Sequence, residues 1–364
     1  VGSRDYQILD LGLTLETPDE GLLRDFHLDY ARFESHAPLE GENRLRVRFE
    51  PGGPHGPAFL ETGGERRYLG DYASPSAFAL FQLHRIIMDA VQDFTVLHGA
   101  VLAKDGRALV ISGPSGTGKT TLTLDLLDQG LAFLSDDFCP VSRATGLVHP
   151  FPRSLWVRDE AGAGTVAPLP DAEALHRGKR ALGAGTGAFR IHDQPCPLGW
   201  LVLLEGEAQG QDVLRVRLRE AGRRAFLDAA AGLGGVETTH PGGAIPDLWE
   251  FRYARGGGLA GALADLLEAH RDTVILASNP PRPGPDFNRE PRLEPIPSHE
   301  AAFILLRERK QHRLTLGEGK VKAGAFLMHL NEILAGASCF RLTPGYRRDR
   351  LERVLAAIGG EGAR

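Results

Sequence analysis

Gly113-Pro114-Ser115-Gly116-Thr117-Gly118-Lys119-Thr120 is the stretch on which the reading of this chain turns. It satisfies the pattern Gly-x-x-x-x-Gly-Lys-Thr and falls between the apolar run Arg107 to Ser112 and the apolar spacing of Leu122, Leu124, Leu126 and Leu127. Strand, glycine loop and helix in that order predict a P-loop. The glycines let the backbone curl so that its N–H groups point at phosphate oxygens, and the start of the following helix adds positive potential. Gly113, Ser115, Gly116, Thr117 and Gly118 are therefore expected to cradle phosphate, and Lys119 to reach the β and γ phosphates of a nucleotide, read as ATP. Thr120 is placed to offer its hydroxyl to Mg²⁺, with Thr121 adding a phosphate contact.

Upstream of the loop, Thr95 to Ala103 and Arg107 to Ser112 read as two strands joined by the turn Lys104-Asp105-Gly106. Downstream, Gly130 stops the helix, and Leu131 to Ser135 reads as a buried strand that delivers Asp136 and Asp137. Two adjacent acids at a strand end repel each other. A bound divalent metal offsets that repulsion, and a second carboxylate can accept a proton from an attacking hydroxyl. A P-loop alone leaves switches, ATPases and kinases open, whereas the acid pair favours kinases.

The run from His98-Gly99-Ala100 through the loop to Leu134-Ser135-Asp136-Asp137 resembles the HPr kinase/phosphorylase family. It is similar in particular to the shorter HPr-kinase-like serine kinases of peptide-modification gene clusters, over residues 94 to 205. The resemblance implies an α/β fold with a P-loop nucleotide-binding core of the HPr kinase C-terminal type. It also implies that His98 lies beside the transferred phosphoryl group, that Asp136 is the base, and that Asp137 assists through metal. By the same resemblance Phe151-Pro152-Arg153-Ser154 and Gly178-Lys179-Arg180 lie near nucleotide or acceptor, so that Arg153, Lys179 and Arg180 neutralise transition-state charge. The Glu-Ile-Arg-Gly-Leu-Gly stretch that true HPr kinases carry after the acids is absent from the sequence. The wording Ser115 to Thr121 with the acid pair is also similar to ATP-dependent phosphoenolpyruvate carboxykinase, but this chain is shorter and poorer in further metal ligands.

The 364 residues exceed the usual single-domain length, and five segments are expected. Residues 4–73 read as a small β-rich N-terminal module, from the alternation Leu45-Arg46-Val47-Arg48-Phe49 and a hairpin at Gly63-Gly64; Val1-Gly2-Ser3 are expected to lie outside the fold. Residues 74–93 read as a connecting helix, 94–279 as the P-loop kinase core, 280–297 as a linker with seven prolines, and 298–364 as a helical region packing on the core. His84 reads as a packed or surface histidine, Cys139 as a small buried side chain, and Arg341, Arg347, Arg348, Arg350 and Arg353 as a solvated helix face, with an acidic partner or phosphate as the alternative for this basic region.

A hydrophobic fraction of 42% and a charged fraction of 24% are those of a globular protein, and no apolar run approaches a membrane span of about 20 residues. The net charge of −5 gives no bulk attraction for nucleic acid. Cys139, Cys196 and Cys339 are odd in number and widely spaced, which fits a reducing, cytoplasmic setting. The function expected is transfer of the γ-phosphoryl group of ATP, with Mg²⁺, to a hydroxyl, most readily a Ser or Thr of a peptide or protein. A small-molecule kinase and a nucleotide-regulated binding module without transfer are the alternatives, and a homo-oligomer is left open.

Overall fold

The alternation at Leu45 to Phe49 becomes the third strand of a five-stranded sheet in the computed structural model. The structure describes residues 2–51, 58–70, 75–114, 116–158, 179–182, 189–206, 211–240, 247–254, 259–270, 272–278, 287–307 and 323–360. Strands β1 (Gly2–Ile8), β2 (Leu11–Thr17), β3 (Arg44–Glu50), β4 (Ala58–Thr62) and β5 (Glu65–Gly70) lie side by side in chain order. Gly63 and Gly64, at φ of 56° and 82°, make the β4–β5 turn, where two left-handed residues match the twist of the flanking strands. Gly2 and Ser3 pair with Thr17 and Glu16, since a ladder needs only the backbone groups that β2 presents.

The strands-and-turns reading of residues 4–73 missed a helix, α1 (Glu20–Tyr30). Its signals are local: Asp19 caps it by accepting from the Leu22 amide, and Leu22, Leu23, Phe26 and Tyr30 share one buried face. Helix α2 (Pro75–Ala90) follows, and its buried side chains join those of the module, Phe94, Val96, Phe138 and Phe151 in one hydrophobic cluster.

Thr95 to Ala103 is not one strand. It divides at Gly99 into β6 (Phe94–His98) and β7 (Ala100–Lys104), and β8 (Arg107–Ser112) returns through a turn in which Asp105 and Gly106 have φ of 50° and 73°. A Cβ on Gly99 would stand 2.7 Å from the Ile111 carbonyl oxygen, so this crossing admits only glycine. Next come α3 (Lys119–Asp128), β9 (Ala132–Ser135), β10 (Phe138–Ser142), β11 (Leu155–Arg158), β12 (Lys179–Leu182) and β13 (Leu198–Leu204). β6 pairs with β10, and β11 with β12.

Residues 206–285 form a compact unit of their own, where the sequence reading had run 94–279 as one core. Its elements are β14 (Gln211–Leu218), α4 (Arg223–Ala231), β15 (Val236–Thr239), β16 (Leu248–Ala254), α5 (Leu259–Ala269) and β17 (Val274–Ser278), in an antiparallel sheet ordered β15-β16-β14-β17. That is the β-α-β-β-α-β split arrangement, with a core of Leu214, Val216, Phe226, Phe251 and Leu263. Alternating strands and helices read alike in an inserted unit and in a continued core, so periodicity did not reveal the division.

The other unit comprises residues 1–205 with 286–364. Its later elements are β18 (Leu293–Pro295), α6 (Ser298–Arg307), α7 (Ala323–Leu334), β19 (Ser338–Leu342) and α8 (Arg347–Gly359). Part of the proline-rich segment is thus an edge strand, a position where proline's missing N–H is tolerated. The principal sheet runs β18-β19-β13-β8-β7-β9 and is mixed. β19, β13 and β8 are mutually parallel, β7 runs against both β8 and β9, and β9 therefore points the same way as β8. Among the described residues no helix is long and apolar enough to cross a membrane.

Candidate functional site

The glycine loop leaves the end of β8 and enters α3 at Gly118. Gly113, Gly116 and Gly118 have φ of 150°, 87° and 87°, values that side-chain-bearing residues rarely adopt. Space is restricted as well: a Cβ on Gly113 would lie 2.6 Å from the Leu204 carbonyl oxygen, and one on Gly118 would lie 2.8 Å from Nη1 of Arg350. Within the loop, Thr117 donates through its hydroxyl and amide to the Pro114 carbonyl at 2.8 and 3.4 Å. The Lys119 ammonium folds back to donate to the carbonyls of Gly113 and Pro114 at 2.5 and 3.1 Å, which holds its charge over the loop. Thr120 and Thr121 lie in the first turn of α3, and Ser115 lies outside the described residues.

Asp136 and Asp137 leave β9 at the same end of the sheet. In register, Ser135 faces Val101 of β7, which in turn faces Val110 of β8. The loop and the acids are two strands apart, about 10 Å in the direction of the ladder. Between them lie His98 and Gly99: His98 Nδ1 hydrogen-bonds the Asp137 carbonyl at 3.0 Å, and the Gly99 amide donates to the same oxygen at 3.4 Å. Asp136 is buried, while Asp137 is half-buried with φ of 65°, an uncommon conformation for a non-glycine residue that turns the chain sharply at the strand end. The last residues of β8 and β9, Ser112 and Ser135, are fully buried, and their hydroxyls lack a hydrogen-bond partner among the described residues. His98 and Ser112 also line a small cavity with Val96, Leu97, Leu305, Phe326 and Leu330.

Arg153 is held in a buried cluster against α1. It is 5% exposed and donates to the Asp29 carboxylate at 2.8 Å, with His84 3.4 Å away and its guanidinium 4.8 Å from the Phe138 ring. Its neighbour Ser154 donates to the Leu28 carbonyl, so the segment Phe151 to Ser154 ties β9, through the Ser135–Phe151 bridge, to α1. Burial raises the Asp29 pKa, but Arg153 and His84 outweigh it and hold the carboxyl down at about 2. Burial and the Arg153 charge together lower His84 to about 4, against the opposing pull of Asp29 and Asp137, so its imidazole is neutral at pH 7. Burial also opposes the charge on Arg153, yet Tyr30, Asp29 and Asp137 together raise its pKa. His84, given no role from sequence, thus belongs to this buried cluster. For Lys179 and Arg180 the structure describes the backbone, in β12.

α8 falls in the region the sequence reads as helical, and it bears on the glycine loop. Arg347 pairs with Asp125 of α3, and Arg350 reaches the loop itself, donating from Nη2 to the Thr117 carbonyl at 3.0 Å. Arg350 is not on the solvated face expected from the spacing, whereas Arg347, though paired, stays exposed. Arg350 is 5% exposed, its Nε lacks a partner, and among the described residues no carboxylate forms an ion pair with it. Burial pulls its pKa down to about 10 against the weaker opposing field of Asp125. The signal available in the sequence was the spacing of Arg347, Arg350, Val354 and Ile358 along one helix face, the last three of which are buried. Cys139 is buried, and burial pushes its thiol pKa up, which leaves it a packed neutral group.

Among the described residues no group of three or more His, Cys, Asp or Glu side chains is assembled. The hydroxyl of Thr120 and a carboxylate from the acid pair suit a Mg²⁺ that keeps water and phosphate oxygens as its other ligands.

No family model and no curated protein matches the chain. Among solved structures, the HPr(Ser) kinase/phosphatase from Coxiella burnetii aligns with 49% of this chain and 96% of its own, at 16% identity and a TM-score of 0.21. A likeness at that score carries no functional weight, and the site stands on its own geometry.

Proposed function

We propose that the chain is an ATP-dependent kinase that transfers the γ-phosphoryl group to a hydroxyl, that of a Ser or Thr in a peptide or protein. One observation carries the reading: a glycine loop with its lysine and a pair of acids emerge from same-direction strands of one sheet, with a single strand and its His98-Gly99 entry between them. Loop amides and Lys119 hold the phosphates, and Asp136 takes the proton of the acceptor hydroxyl. That oxygen bonds to the γ-phosphorus, the bond from phosphorus to the β–γ bridging oxygen breaks, and ADP departs with the electron pair. Thr120 and Asp137 are the residues that would hold Mg²⁺, which when bound supplies charge neutralisation at the β and γ phosphates. His98, hydrogen-bonded to the Asp137 carbonyl, fixes the turn that aims the acids. The resemblance of the run from His98 to Asp137 supports a peptide or protein acceptor.

The test is transfer of label from γ-labelled ATP to peptides encoded beside the gene, followed by mass spectrometry of the product. Asp136→Asn is expected to keep nucleotide binding and to lose transfer by about 10²- to 10⁴-fold. Transfer at the wild-type rate by both Asp136→Asn and Asp137→Asn would remove the acid pair from the reaction. Nucleotide binding with no transfer to any hydroxyl would leave a regulatory module.

A further inference from the structure

A buried cation normally has an anionic partner, because removing a guanidinium from water without one is costly. Arg153 obeys the rule through Asp29. Arg350 does not: it is as buried as Arg153, and the one hydrogen-bond acceptor it meets among the described residues is the Thr117 carbonyl of the glycine loop. Its Nε has no partner among the described residues, and its Nη1 stands 2.8 Å from where a Cβ on Gly118 would be, at the residue that caps α3. Arg347, three residues earlier on α8, is tied to Asp125 of α3 and fixes the helix in this register.

We infer that Arg350 is a phosphate-recognition residue: from α8 it supplies a buried positive charge behind the glycine loop that no carboxylate among the described residues neutralises and that the nucleotide's phosphates complete. By holding the Thr117 carbonyl it also fixes the peptide plane whose amide, on Gly118, faces the other way, toward the phosphate side of the loop. The inference rests on the loop binding nucleotide, as proposed above, but not on transfer of the phosphoryl group. It assigns α8 to the binding site, which is the phosphate alternative that the sequence leaves open beside the solvated face.

Two opposite effects of one substitution distinguish this role from that of a structural brace. Arg350→Met keeps the aliphatic packing and removes the charge. It is expected to leave the nucleotide-free melting temperature unchanged or raised, while weakening ADP and ATP binding in calorimetry by about 10- to 100-fold. Binding of adenosine, which has no phosphate, should not change. Arg350→Lys, with the charge kept and the fork lost, should bind ADP within about threefold of wild type. A nucleotide-free Arg350→Met protein that melts lower or fails to fold makes Arg350 a brace and overturns the inference, as does ADP affinity equal to wild type. An Arg350→Lys variant as weak as Arg350→Met overturns the charge as the cause. If wild type binds ADP with these dependences but transfers nothing, the kinase reading falls and the role of Arg350 stands.

Discussion

Two arginines from distant parts of the chain flank the candidate site, and they are buried to the same degree with opposite consequences. Arg153 meets the carboxylate of Asp29, the edge of His84 and the faces of Phe138 and Tyr30. Arg350 meets a backbone carbonyl and the Phe287 ring. Its burial lowers its pKa, whereas the pKa of Arg153 is raised in spite of burial. The difference separates a charge already neutralised, and so used for architecture, from one that no described carboxylate neutralises, which is the one we propose for a ligand. The sequence places Arg153 near nucleotide or acceptor and Arg350 on a solvated face with phosphate as the alternative; the structure has the Arg153 guanidinium held by Asp29 of α1.

The sharpest way to break the contrast is to remove Asp29. Asp29→Asn leaves Arg153 buried beside a neutral amide and is expected to cost about 3–5 kcal/mol in urea unfolding, with most of that recovered in the double variant Asp29→Leu, Arg153→Met. If Asp29→Asn costs no more than Arg350→Met, the two arginines are equivalent and the distinction fails.

Acid titration of stability gives a smaller effect. His84 has a pKa of about 4 in the folded protein against 6.5 unfolded, so between those values the unfolded chain binds more protons and stability falls as pH is lowered. Its neighbours in that window are Asp29 and Tyr30 of α1, Arg153, and Asp137 beyond β9. Asp29 extends the loss from 3.8 toward about 2, since its folded carboxyl holds its charge to lower pH than the unfolded one. The His84 contribution is at most about 3 kcal/mol. Thermal melts of His84→Gln across that range should show a flatter curve than wild type; an identical slope would assign the acid lability elsewhere.

The smallest effect is expected on the α8 side. Asp125→Asn removes the partner of Arg347, a half-exposed side chain, and should cost about 0.5–1.5 kcal/mol. Because Asp125 also contributes a negative field at Arg350, ADP binding should be unchanged or slightly tighter. A loss of ADP affinity comparable to that of Arg350→Met would show that helix placement, not charge, governs the loop.

The glycine loop was legible because its requirements are local: each glycine answers a backbone angle, and the strand before it and helix after it are written in the adjacent residues. The acid pair was legible for the same reason, as charge placed at the end of an apolar run. α1 was also legible, from Asp19 and the spacing of Leu22, Phe26 and Tyr30, but alternation in the flanking strands drew the reading away. The separate unit at 206–285 was not, since its strands and helices have the same period as those of the sheet they interrupt.

By itself, then, the sequence determined where the chain can curl around a phosphate and where two acids must end a strand, because propensity, backbone angle and apolar period act over a few residues. Only tertiary structure decided which charge meets which. Arg153 finds Asp29 across 124 positions and Arg350 finds Thr117 across 233, and burial at both contacts converts surface-like charges into one neutral pair and one waiting cation. Charge type is written residue by residue, but its environment is set by everything packed around it, and that environment gives each charge its role.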